Sequence, residues 1–297
     1  MKEKRTTRIK KAIKNRINKA RLLKDILKDS YTFNIKRRKL KKTFNPERVS
    51  TIVVDMDGTI IRKESVLEAL ALMYPEKIKG KKSKGEKLYQ EIIDEIVGGE
   101  LTLAEAVVAG HYYLIEKNFT YNDMLKVFNK VKFSIRDQLI FTLKYLQEVK
   151  GKKIILATLS SKDFGLILNE YLKKKYFFSF NEIIGTELKF NKEKKLVGVK
   201  KIIGLGNGES KERKERTKHK ALQELFKEKK WKFSDKKIVL ITDSYGDIDL
   251  ARKVFTILIK PNEKPSLAQR VSSIFRLSDK QVKDDFKLQT NLIKILG

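Results

Sequence analysis

The run Thr51-Ile-Val-Val-Asp55 limits the fold of this chain more than any other feature. Its first four residues are all β-branched, a class that loses χ1 freedom in a helix and stands well on a pleated sheet. Lacking polar alternation, the run reads as a strand buried on both faces, so the acid behind it is delivered at the strand's carboxyl end. Similar runs follow at Lys153 to Ala157, Ile238 to Thr242 and Phe255 to Ile259. Helix-like segments separate them, among them Phe164 to Leu172 and Lys220 to Lys229. Strand alternating with helix predicts an α/β fold built on a parallel sheet.

Between the first two strands lies a long insert, 63–133. Apolar residues recur there at helical spacing over Val66 to Leu72, Leu88 to Val97, Leu103 to Ile115 and Tyr121 to Phe128. The pattern predicts a helical cap over the sheet edge. The expected division is a basic extension over 1–48, a core domain over 49–62 and 134–297, and the cap over 63–133, with Asn45-Pro46 as the turn before the core.

The formal charge is +31, and residues 1–50 hold 19 Lys/Arg against four acids. From Thr6 or Thr7 as N-cap, Ile9, Ala12, Ile13, Ile17, Ala20, Leu23 and Leu27 form one stripe, which predicts a basic amphipathic helix. Such a helix suits docking on the protein body, or a nucleic acid or anionic membrane surface. The frequent Lys and Arg leave no apolar stretch for a secretory signal, no run reaches the ~18 residues of a membrane span, and a cytoplasmic protein is expected. With no cysteine and two distant histidines, His111 and His219, thiolate sites, a zinc centre or a Ser/His/Asp triad have little to be built from. Gly204-Leu-Gly206-Asn-Gly208 lacks the apolar helix start of a dinucleotide loop and reads as a turn. His111 reads as a residue of a cap helix.

Ligands of open α/β sheets bind beyond the carboxyl ends of the strands. Four places there carry complementary chemistry: Asp55-Met-Asp57-Gly-Thr59 after the first strand, Thr158 after the second, Lys218 at the head of a helix, and Asp243-Ser-Tyr-Gly-Asp247 after Ile238 to Thr242. In that order they resemble the four motifs of the haloacid dehalogenase-like (HAD) superfamily, over roughly residues 51–262. Asn181-Glu-Ile-Ile-Gly-Thr-Glu-Leu188 with Gly198 resembles its phosphoserine-phosphatase-type branch.

The resemblance implies a Rossmann-like core with a helical cap, and a Mg²⁺-dependent phosphomonoesterase acting on a small phosphorylated substrate. It implies Asp55 as nucleophile, Asp57 as general acid and base, Thr158 and Lys218 as phosphate-binding groups, and Asp55, Asp57, Asp243 and Asp247 as the metal set. Lys220, two places on, is the other candidate for the lysine. Glu64 falls where phosphoserine phosphatases keep a glutamate against the substrate's amino group, but Leu103 to Leu114 lacks their cap arginine, so phosphoserine is not carried over. Two alternatives stand beside this reading: a phosphatase acting on a nucleic-acid end or lipid headgroup recruited by residues 1–50, and a non-catalytic binding protein on the same fold.

Overall fold

The computed structural model describes residues 44–77, 82–204, 214–243, 245–259, 275–277 and 285–297. The expected basic helix at Ile9 to Leu27 and the turn after Gly204 lie outside them. Eight strands form one sheet in the order β5-β4-β3-β2-β1-β6-β7-β8. They are β1 (Thr51–Val54), β2 (Lys153–Ser161), β3 (Glu182–Phe190), β4 (Leu196–Ile203), β5 (Lys214–Arg216), β6 (Ile238–Thr242), β7 (Phe255–Ile259) and β8 (Phe275–Leu277).

β1 is central and runs parallel to β2 and β6, with Val54 level with Leu156 on one side and Ile241 on the other. That register sets the carboxyl ends of the three strands side by side. The Asp55 N–H continues the ladder by donating to Ile241 O at 3.0 Å. Every residue of β1, β6 and β7 is buried, as their unbroken apolar runs require.

Two features depart from the parallel sheet expected from the sequence. β3 and β4 pair antiparallel, joined by a tight turn in which Asn191 Oδ1 accepts from Lys195 N at 2.9 Å. β2 also runs past Ala157 to Ser161, and its register against β3 shifts between those two residues. Sequence alternation is weak in both places, because polar and apolar residues are mixed over Thr158 to Ser161 and Glu187 to Phe190.

Between β1 and β2 stand the helices α1 (Ser65–Met73), α2 (Lys84–Gly98), α3 (Leu103–Glu116) and α4 (Tyr121–Val131). Three begin with reciprocal capping boxes, Ser83 with Glu86, Thr102 with Glu105 and Thr120 with Asp123, which satisfy N–H groups the helices leave orphaned. The α3–α4 connection is stitched to the β3–β4 turn: Tyr121 N donates to Lys194 O at 3.0 Å and Leu196 N to Phe119 O at 2.8 Å. Gly204, at the end of β4, admits α3 so closely that a Cβ there would come within 3.2 Å of the Ala104 Cα.

The remaining helices are α5 (Asp137–Glu148), α6 (Lys162–Tyr176), α7 (Lys218–Glu228), α8 (Ile248–Ala251) and α9 (Asp285–Leu296). Alternation along β1 divides the core. Ile52 and Val54 face Leu139, Leu143, Leu288 and Leu292 of α5 and α9, while Val53 faces Leu222 and Phe226 of α7 and Leu250 of α8. At the entry to β1, Lys152 Nζ donates to Pro46 O at 2.9 Å and Val49 O at 3.1 Å, and the Phe44 ring packs edge-on against Phe255 with centroids 4.9 Å apart. Among the described residues no helix is long and apolar enough to cross a membrane.

Candidate active site

Beyond Val54 the chain must turn sharply. Gly58 does so at φ +74°, and Ile60 N and Ile61 N both donate to Met56 O at 2.9 Å. The glycine is also a steric requirement, since a Cβ there would fall 2.0 Å from Asp243 Oδ2. The turn therefore lets the carboxylate after β6 lie against the loop after β1. Thr59 Oγ1 fixes it from the other side, donating to Asp243 Oδ1 at 3.0 Å. Beneath the loop is the buried Arg136, whose Nε donates to Thr59 O at 3.0 Å.

Lys218 opens α7, capped by the Thr217 hydroxyl, and its side chain is 1% exposed. Its ammonium donates to Asp55 Oδ1 at 2.8 Å and is ion-paired with Asp247. Lys220 is exposed, and of the two candidate lysines Lys218 alone reaches the carboxylates. The Asp247 oxygens are buried and make no hydrogen bond among the described residues, so the Lys218 ammonium is the compensation they have.

Asp57 lies at the junction of sheet and helices. Ser160 Oγ, on β2, donates to its Oδ2 at 2.5 Å, and Ser65, the first residue of α1, donates to Oδ2 through its hydroxyl at 2.7 Å and to Oδ1 through its N–H at 3.2 Å. Thr158 is 1% exposed, and its Oγ1 accepts from Ser160 N at 3.0 Å. That acceptance leaves the Thr158 hydrogen available to a ligand. Glu64 stands at the N-cap position of α1 but makes no side-chain cap, and the Tyr89 hydroxyl of α2 interacts with it electrostatically. His111 donates from Nδ1 to Val107 O at 2.7 Å and borders a small, mostly apolar cavity with Ser65, Ser161 and Phe164.

The electrostatics follow from crowding acids out of water. Burial raises Asp55 well above the carboxylate range; Lys218 opposes this, and Asp247 and Asp243 add to it. Burial likewise raises Asp57, moderated by the hydrogen bonds from Ser160 and Ser65. Asp243 is pushed up to about 7, by burial first and then by Asp247 and Asp57, against the Thr59 hydrogen bond. Glu64 is raised by burial and by Asp57, Asp243 and Asp55. Burial works against the Lys218 ammonium, but Asp247 and Asp55 outweigh it and hold its pKa above the ordinary lysine value.

All seven residues singled out in the sequence, Asp55, Asp57, Glu64, Thr158, Lys218, Asp243 and Asp247, thus gather at the carboxyl ends of β1, β2 and β6. Ser65, Thr59, Tyr89, Arg136 and Ser160 join them without having been anticipated. One lysine faces several buried carboxylates, and Asp247 Oδ2 lacks a partner among the described residues; a hard, oxygen-seeking divalent cation suits that donor set. Among the described residues no three His, Asp or Glu side chains form a ready-made metal cage. Mg²⁺ does not require one, since it takes one or two carboxylates and keeps several waters.

No protein-family model matches the chain, and no curated protein matches it. Solved structures do resemble it. A phosphoserine phosphatase captured as a phospho-aspartyl intermediate analogue has a TM-score of 0.57 and 17% identity, over 84% of this chain and 99% of that one. A phosphoserine phosphohydrolase-like protein from Francisella tularensis has 0.55 and 17%, over 82% and 100%. A HAD family hydrolase from Salmonella enterica serovar Typhi has 0.55 and 15%, over 77% and 67%.

Proposed function

We propose that this chain, whose fold is that of the HAD hydrolases, is a Mg²⁺-dependent phosphomonoesterase that works through an aspartyl-phosphate on Asp55 and acts on a small phosphorylated metabolite. The observation that carries the reading is the meeting of the Asp55 carboxylate with the buried Lys218 ammonium at 2.8 Å, beside Asp57 and Thr158. A phosphate monoester is a dianion, and a carboxylate can approach its phosphorus only where positive charge offsets the repulsion. When bound, Mg²⁺ supplies that charge; Asp55, Asp243 and the Asp57 carbonyl would hold it, with Asp247 behind them.

In the reaction the Asp55 carboxylate forms a bond to phosphorus as the ester oxygen leaves, and Asp57 gives that oxygen its proton. Water then attacks the phosphorus and passes a proton to Asp57, and the bond to Asp55 breaks to release inorganic phosphate. The Thr158 hydroxyl and the Lys218 ammonium steady the non-bridging oxygens as charge shifts in each transition state. Because these donors are fixed before substrate arrives, little reorganisation is needed at the moment of reaction. α1 and α2 bring Ser65 and Tyr89 to the acids, which supports a small ester over a polymer.

A screen of phosphorylated metabolites with and without Mg²⁺, run beside Asp55→Asn, tests the proposal. Turnover that needs Mg²⁺ and is lost in Asp55→Asn is expected. Folded protein that hydrolyses no phosphomonoester, or an Asp55→Asn variant as active as the parent, would overturn it.

A further inference from the structure

Asp57 has to be protonated in one half-reaction and ionised in the next, and it must keep one orientation through both. The described structure grips it from two directions, with Ser160 on the core strand β2 and Ser65 at the head of α1. Both hydroxyls converge on a single oxygen, Oδ2, at 2.5 and 2.7 Å, and they stand 3.2 Å from each other. Oδ1 has one weaker partner, the Ser65 N–H at 3.2 Å. A carboxylate oxygen offers about two acceptor directions. Two hydroxyl donors therefore fill Oδ2 and leave a direction open on Oδ1.

We infer that Ser65 and Ser160 are positioning residues that lock the Asp57 carboxyl, so that Oδ1 is the atom that gives the proton to the leaving oxygen and later takes one from water. The inference rests on the reading of Asp57 as general acid and base. Ser160 adds a second connection, because its N–H engages Thr158 Oγ1 at 3.0 Å. The phosphate-facing hydroxyl and the proton-carrying carboxyl are thus held by one residue. Ser65 brings the first helix of the insert into the same network, so the acid is assembled only when α1 is seated on the sheet.

Leaving-group chemistry separates this role from a general contribution to folding. 4-Nitrophenolate departs without a proton, whereas the alkoxide of glycerol 2-phosphate needs one. The measurement is kcat/KM, which reports the phosphoryl transfer to Asp55, for both esters with the parent chain, Ser65→Ala, Ser160→Ala and Asp57→Asn. Asp57→Asn sets the reference, with a loss on the alkyl ester of ~100-fold or more and a much smaller one on the aryl ester. The serine variants should follow the same selective pattern, falling ~10-fold or more on glycerol 2-phosphate and less than about 3-fold on 4-nitrophenyl phosphate.

If Asp57→Asn is selective while the serine variants lose both activities equally or neither, the positioning role is wrong and the general-acid reading stands. If Asp57→Asn itself discriminates no better than the parent, the general-acid reading fails and the inference with it. Cooperative unfolding is checked for each variant, and either serine alone carries the test should the other fail to fold.

Discussion

The Lys218 ammonium and the Asp55 carboxylate lie 2.8 Å apart although 163 positions separate them in the chain. Both are nearly inaccessible to water, with side chains 1% and 8% exposed. A buried pair of this kind adds little net stability, because desolvating two charges offsets most of their attraction. Its value lies in the proposed chemistry: burial and the neighbouring acids favour the protonated form of Asp55, and the ammonium is the group that opposes them.

Lys218→Met should therefore harm stability and chemistry together. Removing one partner strands Asp55 and Asp247, and such losses amount to about 3–5 kcal/mol. Activity should fall by more than ~100-fold, since the proposed mechanism uses the ammonium as a fixed transition-state donor. Lys220→Met, on the exposed face of the same turn, should stay within about 0.5 kcal/mol of the parent. Chemical denaturation and turnover of an aryl phosphate measure both, and similar behaviour of the two variants would contradict this assignment.

Gly58→Ala combines a left-handed backbone with a collision against Asp243. The backbone strain alone is worth about 1–3 kcal/mol. Displacing the carboxylate proposed to hold Mg²⁺ by about 1 Å is expected to reduce turnover ~100-fold. Mutant melting curves and kcat read the two effects separately, and an Ala variant with unchanged kcat would mean that the loop tolerates a different course.

The raised acids make the metal-free protein sensitive to alkali. Asp243 binds its proton more tightly in the folded chain, at about 7, than the ordinary carboxylate at 3.8. Its contribution is therefore fully present below about pH 4 and is lost as pH rises through about 7. The melting temperature in a chelator should fall across that window, and Asp243→Asn should flatten the fall. Millimolar Mg²⁺ should raise the melting temperature at pH 8, where the carboxylates are ionised, and much less at pH 5. A thermal-shift series over pH with and without Mg²⁺ checks the sign, and equal stabilisation at both pH values would refute it.

The basic extension can be cut at a defined place. Removing residues 1–43 spares the Phe44 ring on Phe255 and the Pro46 carbonyl on Lys152, so small-ester turnover and stability should persist. Removing 1–48 takes both contacts away and leaves Lys152 with the Val49 carbonyl, costing about 2–3 kcal/mol. Urea midpoints of the two truncations decide between them. A 1–43 deletion that abolishes hydrolysis would instead give those residues a part in catalysis.

The parts of the site that are legible in the sequence are those whose chemistry and position coincide. Asp55 and Asp243 follow apolar strands, so periodicity sets them at one end of a sheet, while Lys218, at the head of an apolar-striped helix, joins them through the resemblance of the motifs. Ser65 and Ser160 give no such signal: a serine before a helix reads as a cap, and one in Thr-Leu-Ser-Ser reads as a strand end. Their role appears only when β2 and α1 meet over Asp57. Arg136 is hidden for a related reason, since a single arginine in a basic chain gives no sign that it is buried beneath the loop and donates to Thr59 O. The antiparallel β3–β4 pair is not legible in the sequence because polar residues interrupt both strands.

The two main-chain bonds that tie Tyr121 to Lys194 and Phe119 to Leu196 act as a spine along one margin of the molecule. The helical layer cannot lift away from the sheet at that margin without breaking backbone pairing, so any movement of the helices that keeps these bonds has to pivot there. Amide protons of Tyr121 and Leu196 should then exchange slowly with solvent.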